Sequence, residues 1–272
     1  MRIWYARYCV GFTVRLSELV RHALSALNAM SLLSPPSARS LRSSSSRSGS
    51  MQRHLLHKTW HAVLSGRGVL ALEGRDTHKL LQGLVTCDVT ALEEGAQPQH
   101  TAFLAHNGRM LFDAFLIPGP ADSVLIDAEA AAIPALAAHL RRYKLRSKVT
   151  FTDRTADFAV VAICGQDAAA SAAAAMTPGS TPDSGAAWAD ARLDALGYRQ
   201  LVPRGSLDAA AALLPPPAPE GLHSLLSSLL GVPDGAMDLP PGECVPHESN
   251  LELLGSIHFA KGCYLGQELT WD

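Results

Sequence analysis

The chain has 272 residues, 47% hydrophobic and 18% charged, with a formal net charge of −2. That balance supports a sizeable core and excludes a wholly disordered protein. No run of eighteen uninterrupted apolar residues occurs, which excludes a membrane-spanning helix. The small net charge hides an asymmetry. Residues 1–50 hold seven Arg, no Lys and one acid, a net of +6, whereas residues 51–272 hold sixteen Lys+Arg against twenty-four Asp+Glu, a net of −8. A mildly acidic body argues against nucleic acid as the main partner, because phosphate neutralisation needs clustered cations.

Residues 1–50 are rich in Arg and Ser. Arg2, Arg7, Arg15 and Arg21 alternate with apolar residues until Pro35-Pro36, and a Ser-rich tail then runs into Met51. This is the composition of an organelle transit peptide, with mitochondrion favoured over plastid. A disordered basic tail, or a true start at Met51, is the plainer alternative.

In the body, Val69–Leu72 reads as a short strand stopped by Gly74. Asp76 stands where it can cap a helix carrying Leu80, Leu81 and Leu84 on one face. Thr101–Ala105 and Met110–Ile117 flank Asn107-Gly108, a strong hairpin signal. Alternation puts Leu111, Asp113, Phe115 and Ile117 on one face of the second strand, so Asp113 is an acid among large apolar neighbours. The plain expectation for it is an edge position facing water. A strand at Val124–Asp127 leads to an Ala-rich helix over about 128–142. Five cations follow at Arg141, Arg142, Lys144, Arg146 and Lys148, which either neutralise the helix terminus or form an anion site. An apolar strand (158–163), an Ala-rich helix (167–176), a Gly/Pro/Ser loop (177–185), strands at 187–193 and 198–202, and helices near 206–214 and 220–231 complete the pattern. Strands and helices are mixed, so the fold class is α+β.

From Gly231 onward, turns dominate, and the chemistry concentrates in Lys261-Gly262-Cys263-Tyr264-Leu265-Gly266-Gln267-Glu268. Cys263 lies between two glycines that permit close backbone approach. Lys261 is placed to lower the pKa of its thiol. A lone Cys is more often a small buried hydrophobe. The five cysteines are scattered without any C-x-x-C, so neither a disulfide framework nor a metal site is indicated, and free thiols suit a reducing compartment.

The Lys261–Glu268 segment resembles the signature of the YgfZ family of folate-binding iron–sulfur assembly factors, which is itself similar to the aminomethyltransferase (T protein) of the glycine cleavage system. Collinear stretches agree: Leu80–Asp88, Phe103–Asp113, Leu140–Val149, Gly197–Arg199 and Pro246–Leu251. The stretch around Arg142–Lys148 looks most like the mitochondrial branch. The resemblance implies a multi-lobed α+β ring with a central tetrahydrofolate pocket over residues 51–268, made of two intertwined lobes. It implies a mitochondrial matrix role in maturing four-iron iron–sulfur proteins of the aconitase and lipoate synthase type. Assembly proteins and recipient apoproteins would be the partners, with no stably bound metal. It also makes Cys263 the reactive group, puts Lys261 at the pocket wall beside it, and makes Asp113, Glu248, Lys261 and Tyr264 the folate contacts. Gly262 and Gly266 become positions of backbone approach.

Two departures stand out. Residues 269–272 (Leu-Thr-Trp-Asp) replace the family's continuation into a C-terminal β-barrel lobe, so a truncated or aberrant end is expected. Cys87 occupies the family's usual Asn position. The alternative function is a tetrahydrofolate-dependent aminomethyltransferase, although T proteins usually carry Asp where this chain has Cys263.

Overall fold

The computed structural model describes residues 58–93, 97–175, 181 and 185–270. The leader read at 1–50, the start at Met51, most of the 177–185 loop and the last two residues lie outside them. Two antiparallel sheets form the frame. The five-stranded sheet has the order β3-β4-β5-β2-β6, from β2 (Arg67–Glu73), β3 (Gln99–Leu104), β4 (Met110–Pro118), β5 (Val124–Glu129) and β6 (Thr150–Asp153). The four-stranded sheet has the order β1-β7-β9-β8, from β1 (Trp60–Val63), β7 (Phe158–Cys164), β8 (Ala187–Ala189) and β9 (Tyr198–Pro203). The described residues therefore start in the second sheet, build the first, and return. The mixed α+β class is the one expected from the sequence.

Layering explains which runs are continuously apolar. Leu70 and Leu72 of β2 pack under α1 (Thr77–Gln82) and α2 (Ile133–Lys144), in one core with Leu81, Leu136 and Leu140. Val69 and Ala71, on the other face, join Phe115, Ile117, Val160 and Leu201 between the sheets. A strand covered on both faces reads as an unbroken apolar run, and so β2 does. On the far side of the second sheet, Ile163 meets Ala168 and Ala172 of α3 (Ala168–Ala175). Residues of α4 (Leu222–Leu230) pack with Trp60, Ala162 and Cys164. The C-terminal segment folds back on the β3–β4 hairpin, where Leu239, Leu251, Ile257 and Tyr264 cover Ala102, Leu104 and Met110.

Three expectations change. The helix anticipated from residue 128 begins at Ile133, because Asp127–Glu129 stay paired with Arg67–Val69 of β2. Asp76 precedes α1 but makes no side-chain cap; its Oδ2 accepts the Lys148 amide at 2.7 Å instead. Asp113 is not at an edge. Strand β4 lies between β3 and β5, and its alternation turns Asp113 to the face shared with Phe115, leaving it 5% exposed.

Candidate functional site

Register concentrates charge between the sheets. Phe115 of β4 pairs with Asp127 of β5, and two residues earlier on the same face stands Asp113. From β2, Arg67 donates to Asp127 Oδ1 at 2.7 Å and to Asp234 Oδ1 at 2.9 Å. From β9, Arg199 donates to Asp127 Oδ2 at 3.1 Å and to Asp190 Oδ2 at 2.8 Å, its guanidinium 4.2 Å above the Phe115 ring. Arg192 grips both oxygens of Asp190 at 3.0 Å in a planar fork. Three guanidiniums thus face four carboxylates. Burial opposes ionisation of Asp190 and Asp234, but the neighbouring arginines outweigh it and hold both well below the usual carboxylate range.

Asp113 is the least satisfied member. Its Oδ2 lies 3.9 Å from Arg67 and 3.7 Å from His100 Nε2, and it has no hydrogen-bond partner. Burial works against its charge, yet His100 and Arg67 together keep its pKa below the ordinary value. His100 is itself pushed down, chiefly by burial, and its Nδ1 pairs with Ser256 Oγ at 2.6 Å.

Beside this cluster opens a cavity of about 750 Å³. Arg67 and Asp234 border it, along with the end of β1 and the turn after it (residues 61–66), residues 217–222 and one face of α4. That face presents His223 and Ser227, which are 5% and 3% exposed. Among the described residues, neither His223 Nε2 nor Ser227 Oγ has a hydrogen-bond partner. Burial, with help from Arg199, lowers the His223 pKa to about 4, so the ring is neutral and can either donate or accept. Buried polar atoms are ordinarily paired, so two orphans one helical turn apart on a cavity wall are a ligand-facing feature. These two escaped the sequence reading. Their signal is a polar pair on the buried stripe of an otherwise leucine-rich helix. Arg67, Arg192, Arg199, Asp127 and Asp190 escaped too, since strands at this spacing give no hint of which charges will meet.

The residues singled out from the signature do not converge on this cavity. Lys261 is turned inward and is 6% exposed. Its ammonium donates to Val85 O at 2.7 Å and Cys87 O at 2.6 Å and sits 4.9 Å from the Tyr264 ring centre. Burial lowers its pKa to about 8. It ties the signature loop to the Leu84–Cys87 segment through backbone carbonyls and does not border this cavity. Tyr264 is a core residue whose hydroxyl pairs with Thr270 Oγ1 at 2.8 Å. Glu248 is exposed on a single 3₁₀ turn, His247–Ser249. Cys263 is exposed, whereas Cys87 and Cys164 are buried, with thiols raised to about 11 and about 12 mainly by desolvation. Gly266, at φ 78°, presses on the hairpin at Ala105 and Leu104, and a Cβ there would collide. Gly262 faces open space, with no atom of the described chain against it.

The family model of the GCVT N-terminal domain matches residues 64–201, which span the five-stranded sheet, all of the four-stranded sheet but β1 and the end of β9, and every member of the charge cluster except Asp234. The chain belongs to this family. Among relatives of this GCVT-domain chain, the "Iron-sulfur cluster assembly factor IBA57 homolog, mitochondrial" of Mycosarcoma maydis is 37% identical over 226 residues, covering 78% of this chain and 53% of that protein. The human mitochondrial iron-sulfur cluster assembly factor IBA57 is 33% identical over 223 residues, covering 76% and 60%. The chain thus spans only a little over half the length of the curated relatives it matches. Among solved structures, the glycine cleavage system aminomethyltransferase T from Bartonella henselae gives a TM-score of 0.46 at 20% identity, covering 57% of this chain and 45% of that one. Cys263 and the α4 pair both lie beyond the residues the GCVT model matches.

Proposed function

We propose that this chain serves as an iron–sulfur cluster assembly factor of the mitochondrial matrix, supporting four-iron recipients of the aconitase and lipoate synthase type. The similarity to mitochondrial assembly factors, at 37% identity over 78% of the chain, carries the proposal. The cluster is cargo here. The exposed Cys263 thiol is its contact, because a thiolate is the natural iron ligand and this one stands clear of the core.

Tetrahydrofolate is the proposed occupant of the cavity, and the residues fit it. The volume suits a ligand of that size. His223, Ser227 and the Asp234 carboxylate offer acceptors to the amino and ring N–H groups of a pterin. The surplus carboxylate of the buried cluster favours a donor-rich, uncharged ring over an anion. When bound, tetrahydrofolate supplies ring nitrogens able to carry a one-carbon unit. The chain's own residues position and desolvate: α4 provides the polar pair, and Arg67 holds Asp234 in place.

The test uses the full chain. Tetrahydrofolate at about 100 times its Kd should raise stability by about 2.7 kcal/mol, equivalent to about 5–10 °C in Tm at this size. His223→Phe with Ser227→Leu should abolish that shift. A cooperative melt that ignores tetrahydrofolate rejects the cofactor. In cells depleted of the native protein, Cys263→Ser should fail to restore aconitase and lipoate synthase activities. Full restoration by that variant rejects the thiol's role.

A further inference from the structure

The end of α2 carries a feature that neither the cavity nor the thiol explains. Residues Lys144–Ser147 form a tight turn closed by the Ser147 amide donating to Lys144 O at 2.8 Å. Leu145 is its first central residue, at φ 45° and ψ −111°. Those signs belong to the first position of a type II′ turn, which glycine fills without strain and a branched side chain does not. The strain is imposed from both sides. Upstream, the turn hangs from a twelve-residue helix. Downstream, β6 is locked onto β2, the Lys148 amide is held by Asp76, and Gly74 at φ 131° is packed so closely against Lys148 O that no Cβ would fit. The outcome is a leucine that is 88% exposed.

Cations surround this leucine. Arg141, Arg142, Lys144, Arg146 and Lys148 flank it in sequence, and Lys79 borders the same hollow as Leu145 and Arg146. Among the described residues, none of these six side chains forms an ion pair within 4 Å, although Asp76 lines the same hollow and its carboxylate is held by the Lys148 amide. Helix-terminus electrostatics accounts for Arg141, Arg142 and Lys144. It accounts for Lys79 as well, in the last turn of α1, but not for Arg146 and Lys148, nor for a strained apolar side chain held in water. Strained backbone persists where its surroundings over-determine it, and it gathers at functional surfaces. A free phosphate has no use for the leucine. One leucine also offers far less apolar area than a membrane-surface helix inserts.

We propose that the Lys144–Ser147 turn is a docking knob for a partner protein whose contact surface is an apolar stripe rimmed by carboxylates. Leu145 seats in the stripe, and the cations meet the rim. The surface is independent of folate and of Cys263.

A fluorescent amphipathic helical peptide, leucine on one face and glutamate on the other, serves as the probe on the full chain at low salt. Polyglutamate of equal charge is the control. The peptide should bind more tightly than polyglutamate, and Leu145→Ser should weaken the peptide about tenfold or more while leaving polyglutamate unchanged. Arg142→Glu with Arg146→Glu should weaken both ligands and flatten the salt dependence. Leu145→Gly should lose the peptide yet melt higher than the wild type, since glycine relieves the turn, which separates loss of the knob from loss of the fold. Equal binding of peptide and polyglutamate, or indifference of the peptide to Leu145→Ser, overturns the proposal. Leu145-dependent capture of the chain by vesicles containing 30% anionic phospholipid, without peptide binding, overturns it in favour of a membrane surface.

Discussion

His100 Nε2 and Asp113 Oδ2 face each other across 3.7 Å inside the protein, and neither has a hydrogen-bond partner. The gap is too long for a direct bond. Asp113 is thus a buried acid kept charged by His100 and Arg67 at longer range than a direct hydrogen bond at Oδ2. Asp113→Asn should lower stability by about 1–2 kcal/mol, since the neutral amide forfeits the attraction of His100 and Arg67 that keeps the acid charged. It should leave the proposed tetrahydrofolate response intact, because Asp113 does not border the cavity. A urea titration and a ligand melt on the same variant check both halves.

Removing an arginine of the same cluster should behave differently. Arg199 is fully buried and bonds both Asp127 and Asp190. Arg199→Met should cost about 3–5 kcal/mol, because two carboxylates lose their compensating charge. Breaking the exposed Arg154–Asp157 pair should cost less than about 1 kcal/mol. Equal losses for the two, by urea titration, would show that the buried cluster is not under electrostatic tension.

The buried imidazoles set an acid limit. Folded His223 has a pKa of about 4, and that of His100 is also lowered, both chiefly by burial. Unfolded, a histidine titrates near 6.5. Between these values the unfolded chain binds more protons, so stability is complete above about pH 6.5 and declines as pH falls towards 4. His223 alone accounts for about 3 kcal/mol of that decline. His223→Gln should flatten the slope of unfolding free energy against pH in that window.

The two glycines of the signature should respond oppositely to alanine. Gly266→Ala should destabilise by about 1–3 kcal/mol, through its positive φ and collision with the hairpin. Gly262→Ala should fall within about 0.5 kcal/mol of wild type, for it faces open space. Thermal melts of the pair decide the point.

Thiol chemistry should follow burial. At pH 7.5, iodoacetamide should label Cys263 in the native chain, while Cys87 and Cys164, with pKa near 11 and 12, should react only on unfolding. Peptide mapping by mass spectrometry reads the order directly. Cys263→Ser should leave the melt unchanged.

Local chemistry was sufficient for much of this architecture. Asn107-Gly108 turns the hairpin because Gly108 tolerates the left-handed backbone, at φ 73°, that closes it. Val69–Leu72 and Phe158–Ile163 are strands because continuous apolar runs suit a sheet covered on both faces. The Lys261–Glu268 signature identified a family resemblance because its residue order is distinctive by itself. Two short strands, Trp60–Val63 and Thr150–Asp153, were not read, for each is defined by a distant partner rather than by its own pattern. The direction of Lys261, the burial of Asp113, the orphaned His223–Ser227 pair and the exposed Leu145 were decided only by the tertiary structure. Each depends on which groups, brought together from as far as 176 residues apart, compete for the same hydrogen bonds and the same space. No local pattern records that competition, because its outcome is set when the two sheets close on one another.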